Sequence, residues 1–368
     1  MALPDSFPSE AKLYLQPTGF CPPDYARPGS VIQISGLPVW AMGLRVIARG
    51  YDGRIYDAVH SVEELRNAAL PELSAIMAKI ERAPDVWEVA GKSLRFDQTR
   101  LMAVVNVTPD SFSDGGDTAS PERAIVVGQD FISAGADIID VGGESTRPGA
   151  KTVWEGEELE RVLPVLQGLA HSQTFLSIDT RKAAVMQAAV DAGADIINDV
   201  SALTFDPESL GAAVDAARPV ILMHAQGDPQ SMQKNPHYGD VVLDIFDALE
   251  ARVDACLAAG IPRNRIAIDP GIGFGKSLQH NLALINNLAI FHGLGCPVLL
   301  GVSRKRFIGA LSKEEDPKAR GPGSLAAALH GLSQGVHILR VHDVADTRQA
   351  LDICQGLSDQ AQMPPAIN

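Results

Sequence analysis

The chain has 368 residues, 46% hydrophobic and 21% charged, enough for one large domain plus an appendage and too apolar to be disordered by composition. Lys and Arg total 31 against 45 Asp and Glu, a formal charge of −14; this excludes a nucleic-acid grip or an anionic-membrane patch as a global property, while a local basic cluster can still receive a small anion. Four widely spaced cysteines form no CxxC pair, no basic-then-apolar leader opens the chain, and no apolar run has the length of a membrane span, so the expected object is a soluble cytoplasmic protein without a disulfide framework or zinc site.

Residues 1–84 read as a small α+β segment. Stretches 31–35 and 44–48 have strand composition, and Ser61-Val62-Glu63-Glu64 is a capping box that opens a helix, with Pro71 interrupting it. No chemical motif occurs here. Ala83-Pro84 marks a junction, and 86–96 reads as a hairpin closing the floor of a barrel built from the remaining chain. From residue 101 the pattern repeats. Apolar runs at 101–107, 137–141, 175–179, 195–200, 220–224, 265–269, 297–302 and 337–341 alternate with helical stretches such as 121–134, 181–192, 241–259 and 324–334. Each run is apolar on both faces, as a parallel strand covered by helices is. About eight such units in roughly 250 residues predict an α/β fold, a (β/α)8 TIM barrel over 85–368 with the 1–84 segment attached. A doubly wound open sheet is the alternative; it usually has fewer strands, and no GxGxxG follows the first run. The string Ala-Gly-Ala-Asp-Ile-Ile occurs at 134–139 and again at 192–197, each time ending a helix on glycine and entering a strand.

Catalytic groups of such barrels lie at the C-terminal ends of strands, and the unusual polar residues of this sequence fall there. The first strand runs into a polar loop from Asn106 to Gly116, containing Asp110 and Phe112. The Asn106 carboxamide suits Mg2+, which prefers oxygen ligands; the plainer reading is a loop with helix-capping Ser and Asp. The second strand gives Asp140 and then Ser145, Thr146, Arg147 and Pro148, hydroxyls and a guanidinium fork suited to an anion, or else a surface ion pair. Asp179, Asn198 with Asp199, and Asp269 each close a strand. A buried carboxylate there can accept paired N–H donors from a guanidine-like ring edge, as in a pterin or purine; singly, each reads as a helix N-cap. Met223, beside His224, suits core packing or a flat ring. The stretch from Asp269 to Lys276 is glycine-rich but lacks Walker spacing; its backbone can approach a planar ligand, and Lys276 can pair with a charge. The seventh run gives Arg304, Lys305 and Arg306 and the eighth gives Arg340 and His342, at the usual phosphate position of barrels; they point to an anionic substrate, or else are scattered surface basic residues.

Taken together, LMAVVNVTPDSFSDGG, DIIDVGGESTRPGA, the Asp179 and Asn198 strand ends, DPGIGFGK, SRK and RVHD resemble the dihydropteroate synthase family of the folate pathway. They run in order across residues 86–355, and the first two are too long for chance. The resemblance implies a (β/α)8 barrel that joins 7,8-dihydropterin-6-ylmethyl diphosphate to p-aminobenzoate, giving 7,8-dihydropteroate and pyrophosphate. It implies a requirement for Mg2+, a homodimer through barrel helices, and sulfonamides that compete with p-aminobenzoate. On this resemblance Asp179, Asn198 and Asp269 read the pterin edge, Lys305 reaches the ring and Met223 packs on it. Asn106 holds Mg2+ with the diphosphate, and Thr146, Arg147, Arg340 and His342 line the diphosphate and p-aminobenzoate sides. Phe112, Pro148 and Phe274 wall the p-aminobenzoate pocket, and Asp110, Arg147 and Lys305 are the expected catalytic groups. Loops 106–116 and 142–150 would close to exclude water from a cationic pterin methylene.

Two departures stand out. Arg306 follows SRK, where the family often has a Ser that helps hold the p-aminobenzoate carboxylate; Arg306 either takes that role or points away. Residues 1–84 are extra to the usual barrel and too short for the pterin pyrophosphokinase fused to it in some organisms. A methyltetrahydrofolate-dependent corrinoid methyltransferase would explain the acidic strand ends but not TPDSFSD or SRK. A non-catalytic pterin-binding paralogue would be expected to lack Asn106, Arg147, Lys305 or His342, and all are present.

Overall fold

A computed structural model describes residues 2–21, 26–68, 70–108, 120–145, 150, 152–227 and 232–362. The N-terminal part is an antiparallel sheet of Lys12–Cys21 (β1), Ile32–Gln33 (β2), Trp40–Gly50 (β3) and Gly53–Ser61 (β4), followed by helices Val62–Ala68 (α1) and Pro71–Glu81 (α2). β3 is central, with β1 along one edge and β4 and β2 along the other. Sequence composition indicates only the middle of β3 and the neighbourhood of β2; β1 and β4 are additional. Ser61 caps α1 as expected, its Oγ accepting the Glu64 N–H at 3.1 Å. The Glu64 carboxylate turns instead to His60 Nδ1 at 2.8 Å. Pro71 interrupts nothing: it opens α2, where its missing N–H has no helical partner to lose.

The period-two alternation of β1 and β3 gives the sheet two working faces. Leu15, Leu44, Val46 and Ala48 pack with Leu65, Leu73 and Ile80 of the two helices. Tyr14 and Ile47 point the other way and join the main core of the molecule.

The hairpin Trp87–Val89 (β5) and Lys92–Leu94 (β6) leads into the barrel. Its strands are Arg100–Asn106 (β7), Ile138–Gly142 (β8), Phe175–Asp179 (β9), Ile196–Asp199 (β10), Val220–Met223 (β11), Ile266–Asp269 (β12), Leu299–Gly301 (β13) and Ile338–Val341 (β14). Helices Pro121–Ser133 (α3), Glu155–Leu169 (α4), Ala183–Asp191 (α5), Ser209–Ala216 (α6), Val241–Ala259 (α7), Leu278–Asn286 (α8), Arg306–Ser312 (α9), Gly321–Leu332 (α10) and Val344–Gln362 (α11) surround them. The strands are parallel in the order β12-β11-β10-β9-β8-β7-β14-β13. A single bridge, Ile268 to Val298, brings the two ends of that sheet together, so the fold is a (β/α)8 TIM barrel. The crossover between β12 and β13 contains α8 and a 3-10 helix, Leu288–Leu294.

Inward-facing Met102, Ile138, Ile196, Ile221, Ala267 and Leu299 fill the lower barrel, and Trp87 and Phe96 seal it from below. The hairpin thus closes the floor as the sequence indicates. Trp87 and Phe96 meet edge to face at 5.0 Å, and the Trp87 indole N–H donates to the Asn264 carbonyl at 2.8 Å.

The N-terminal sheet docks on α7: Tyr14 OH reaches Asp247 at 2.9 Å, Arg49 reaches Asp244 at 2.7 Å and Arg54 reaches Asp240 at 2.7 Å. The Arg49 and Arg54 ion pairs are partly exposed, each worth about 1 kcal/mol or less, so apolar burial at Tyr14 and Ile47 dominates. A second contact is fully buried. His337 accepts the Val298 N–H on Nδ1 at 3.1 Å, and its Nε2 faces the Ser35 carbonyl at 3.3 Å. His292 contacts Ser35 Oγ through Nδ1 at 3.3 Å and the Gln334 carbonyl through Nε2 at 3.0 Å. Burial keeps both rings neutral, pushing His292 down to about 4 and His337 down to about 3. No described helix is long and apolar enough to cross a membrane.

Candidate active site

Above the apolar lower layers, the inward-facing positions turn polar. Strand register sets Asn198 beside Asp179, Met223 beside Asp269, and Asn106 and Asp179 on either side of Gly142. This layer brings the expected pterin residues Asp179, Asn198, Met223 and Asp269 to one mouth, all four of them buried. It also holds Asp140, to which sequence reasoning gave no role. Asp140 is two residues beyond the inward-facing Ile138, a carboxylate at a core position of an apolar run; that parity was the available signal.

Arg340 ties this layer together. Its Nε donates to Asp140 Oδ2 at 2.7 Å and its Nη2 to Asp179 Oδ2 at 2.8 Å, while Asn198 Nδ2 reaches Asp140 Oδ2 at 3.2 Å. The guanidinium, carried by β14 itself, therefore sits among the acids, whereas the family resemblance implies the diphosphate side for it. Asp140 Oδ1, Asp179 Oδ1 and Ser177 Oγ are buried with no partner among the described residues. Buried acceptors left unpaired cost about 1–3 kcal/mol each, so the layer is built to receive N–H donors. Burial raises the Asp179 carboxyl above its usual range, Arg340 opposing and Asp140 reinforcing the rise. Burial also lifts Asp199 to about 6, against the N–H groups of Ser201 and Leu203 that it accepts, and raises Asp269.

The loop after β12 roofs one side. Asp269 Oδ1 accepts the Gly271 N–H at 2.7 Å. Gly271 has φ +69°, and a Cβ there would lie 1.9 Å from the His224 carbonyl oxygen, so only glycine allows this approach. Lys276 is not available to a ligand charge: its Nζ donates to His224 Nδ1 at 3.1 Å, the His224 carbonyl at 3.2 Å and the Phe274 carbonyl at 2.9 Å. Lys305, beyond Arg340, is the second cation of this layer among the described residues. Its Nζ donates to the Ile272 carbonyl, lies 4.7 Å from the Phe274 ring centroid and would be 3.8 Å from a Cβ on Gly301. Burial lowers it to about 8, with Asp269 opposing.

The remaining basic residues do not converge as expected. Arg304 is clasped by Asp343, with Nε to Oδ2 at 3.1 Å. Arg306 is exposed in the first turn of α9. His342 Nδ1 is 3.0 Å from Ser303 Oγ, which also accepts its backbone N–H. Asn106 ends β7, its Oδ1 3.5 Å from where a Cβ on Gly142 would stand. Asp110, Phe112, Thr146, Arg147 and Pro148 lie outside the described residues.

The profile of the pterin binding enzyme family matches residues 102–342, which begins beyond the N-terminal sheet. The dihydropteroate synthases of Haemophilus influenzae and Escherichia coli are each 45% identical to this chain, over 73% and 72% of it and over 97% and 94% of their own lengths. Among solved structures, Yersinia pestis dihydropteroate synthase in a sulfonamide drug complex aligns with a TM-score of 0.72 at 43% identity, covering 75% of this chain and all of that one. Xanthomonas albilineans dihydropteroate synthase with 4-aminobenzoic acid aligns at 0.71 and 46% identity, covering 77% of this chain and all of that one. With the acid-lined mouth and the barrel order, these likenesses establish that the chain belongs to the pterin-binding enzyme family, on its dihydropteroate synthase branch.

Proposed function

We propose that this chain condenses 6-hydroxymethyl-7,8-dihydropterin diphosphate with p-aminobenzoate to give 7,8-dihydropteroate and pyrophosphate. The observation that carries the reading is the polar layer at the barrel mouth: unpaired carboxylate oxygens on Asp140 and Asp179 face the same space as Asn198 and Asp269, with Lys305 above. A pterin edge presents clustered N–H donors that fit such acceptors, and Met223 gives its ring an apolar, polarisable floor. The X. albilineans synthase structure with 7,8-dihydropteroate aligns over 76% of this chain at a TM-score of 0.67, which supports the product assignment.

The chemistry derives from where charge moves. The C–O bond to diphosphate breaks, its electron pair leaves on the phosphate oxygen, and a pterin methylene cation remains. The carboxylates of Asp179 and Asp269 offset that cation. The p-aminobenzoate nitrogen then bonds to the methylene carbon and loses its proton. An arylamine needs little prior deprotonation, so a strong general base is not required of the site. Thr146, Arg147 and His342 take the diphosphate side, Asp110 and Arg147 serve the bond-breaking step, and Phe112, Pro148 and Phe274 wall the p-aminobenzoate pocket. Arg306, exposed beside Lys305, supplies positive charge for the p-aminobenzoate carboxylate.

Mg2+ fits this donor set. No group of three His, Cys, Asp or Glu suited to a metal occurs among the described residues, and Asn106 Oδ1 stands beside Gly142 on the same side as Asp179 Oδ2. A cation here would use Asn106 with water and substrate phosphates, the usual mode of Mg2+. When bound it supplies neutralising charge to the leaving diphosphate. We assign residues 1–84 to an accessory unit and 85–368 to the catalytic barrel, and we place the enzyme in the cytoplasm as a homodimer.

A pyrophosphate-release assay on the full chain tests the assignment. Release should depend on both p-aminobenzoate and Mg2+, and sulfonamides should compete with p-aminobenzoate. A folded chain that releases no pyrophosphate with all three components present would reject it.

A further inference from the structure

The turn after β13 is bent in a way that its sequence does not favour. Arg304 has a backbone φ of +58°, a left-handed conformation that is costly for a non-glycine residue and persists only where the surroundings hold it. They hold it at three points. Its N–H donates to Ser324 Oγ on α10 at 2.8 Å, and its carbonyl accepts from Arg320 Nη1 at 3.1 Å. Ser324 Oγ in turn donates to the Arg320 carbonyl at 2.8 Å. The Arg304 guanidinium donates from Nε to Asp343 Oδ2 at 3.1 Å and from Nη2 to Asp343 Oδ1.

This clasp continues a strand ladder. Backbone pairing of β13 with β14 ends at Gly301 and Arg340. Beyond them side chains take over in the same register. Ser303 Oγ accepts the His342 N–H at 3.2 Å and lies 3.0 Å from His342 Nδ1, and Arg304 then meets Asp343. The Arg304–Asp343 pair is partly exposed, so it adds little to stability, but its two parallel N–H···O bonds fix a geometry. What they fix is the entry to Lys305. That residue returns to extended backbone at the N-cap of α9, φ −69° and ψ 156°. Its side chain runs past Gly273 and Gly301 to the Ile272 carbonyl and the Phe274 ring. With residue 304 relaxed out of the left-handed region, the Cα–Cβ bond of residue 305 would leave in another direction.

We infer that Arg304 and Asp343 are positioning residues for Lys305: their bidentate pair locks the left-handed turn that brings its ammonium to the Ile272 carbonyl and the polar layer. The inference deepens the condensation proposed for this chain and rests on it. Both residues act through Lys305, the cation proposed to meet the pterin ring.

The test compares the full wild-type chain with Arg304→Ala, Arg304→Gly and Asp343→Asn. Steady-state kinetics are run with the dihydropterin diphosphate varied, and thermal unfolding gives the folded fraction. Acetylation of Lys305 by acetic anhydride, read by peptide mass spectrometry, needs no turnover. For Arg304→Ala the expected result is a pterin kcat/KM lowered by about tenfold or more, because small misplacements of binding groups cost rate steeply, together with faster Lys305 acetylation. Its unfolding midpoint should stay within about 3 °C of wild type, since a partly exposed pair contributes little. Arg304→Gly should recover about threefold or more of the lost rate, because glycine takes the left-handed turn without a clasp. Asp343→Asn keeps the size and one acceptor but not the charge, and should fall between Arg304→Ala and wild type. Kinetics and Lys305 acetylation within about twofold of wild type in folded Arg304→Ala overturn the inference. So does a glycine variant no better than the alanine one, or a rate loss that vanishes once corrected for the folded fraction. Should Arg304→Ala not fold, Asp343→Asn decides by the rate and acetylation criteria. Should the wild type make no dihydropteroate, the condensation fails, and Lys305 acetylation alone then decides the positioning.

Discussion

Arg340 lies between Asp140 and Asp179, so one guanidinium serves two carboxyl groups in a space from which water is largely excluded, and burial raises the Asp179 carboxyl. Such a group is costly unless a ligand completes it, and one oxygen of each acid is buried with no partner among the described residues. Lys305 stands beside Asp269, the third acid of the layer. Its ammonium is the useful form, since it must meet ring heteroatoms as a donor. Its value in the fold lies near 8, below the ordinary 10.5, so the charge is present below that point and is lost as pH rises through it. The expected outcome is a pterin kcat/KM that declines above about pH 8, and a loss of about a hundredfold or more in Lys305→Ala and in Asn198→Ala. A pH series of initial rates on the three proteins checks this; a profile flat to pH 10 in the wild type would remove Lys305 from that role. Much of this was legible. Asp179, Asn198, Met223 and Asp269 end apolar strands at inward positions, and chain position alone reveals that. The Arg340–Asp140 pair was not, because its partners are 200 residues apart in sequence. Lys276 likewise reads as available until the His224 and Phe274 groups that consume its donors are seen.

At the scale of elements, the barrel strands announce themselves because helices cover both faces and their composition is apolar throughout. β1 and β4 do not. Lys12, Gln16, Arg54 and Asp57 interrupt them; Lys12 finds Asp247 and Glu250 on α7, Arg54 finds its N-cap Asp240, and Asp57 is held by Arg45 and Arg54 within the sheet. No local window contains that information. α5 begins two residues later than its helical pattern suggests, because Arg181 and Lys182 are drawn into buried ion pairs with Glu144 and Glu158. The hairpin β5–β6 is legible, and its energetic weight can be read from Trp87, which is 2% exposed and closes the lower barrel with Phe96. Trp87→Ala should lower stability by about 3–5 kcal/mol, since a large cavity would open and the Asn264 carbonyl would lose its donor. Denaturant unfolding monitored by far-ultraviolet circular dichroism measures it, and a change below about 1 kcal/mol would mean the floor is not sealed by this side chain.

For the whole molecule, the N-terminal sheet and barrel are held by burial at Tyr14 and Ile47 and by the Ser35, His292 and His337 contacts. Both rings have folded values below the ordinary 6.5. Their contribution to stability is therefore complete above pH 6.5 and is lost as pH falls from there toward about 4 and about 3, where the buried rings must take up protons. The melting temperature should drop across that window, and the slope should flatten in His337→Gln, which keeps a side-chain donor and acceptor but cannot titrate. Scanning calorimetry from pH 7 to 4 reads the difference; identical slopes would place the acid sensitivity elsewhere.

One joint in the barrel differs from the rest. Between β12 and β13 the backbone ladder shrinks to the Ile268–Val298 bridge, and the crossover above it packs against β1 and α2 through the 3-10 helix Leu288–Leu294. Asp269 stands on one side of that joint and Lys305 just past the other. A bicycle gripped by both would act as a clasp across the stave where the cask is least bound, so filling the cup and tightening the vessel become a single event, and heat resistance should climb with occupancy.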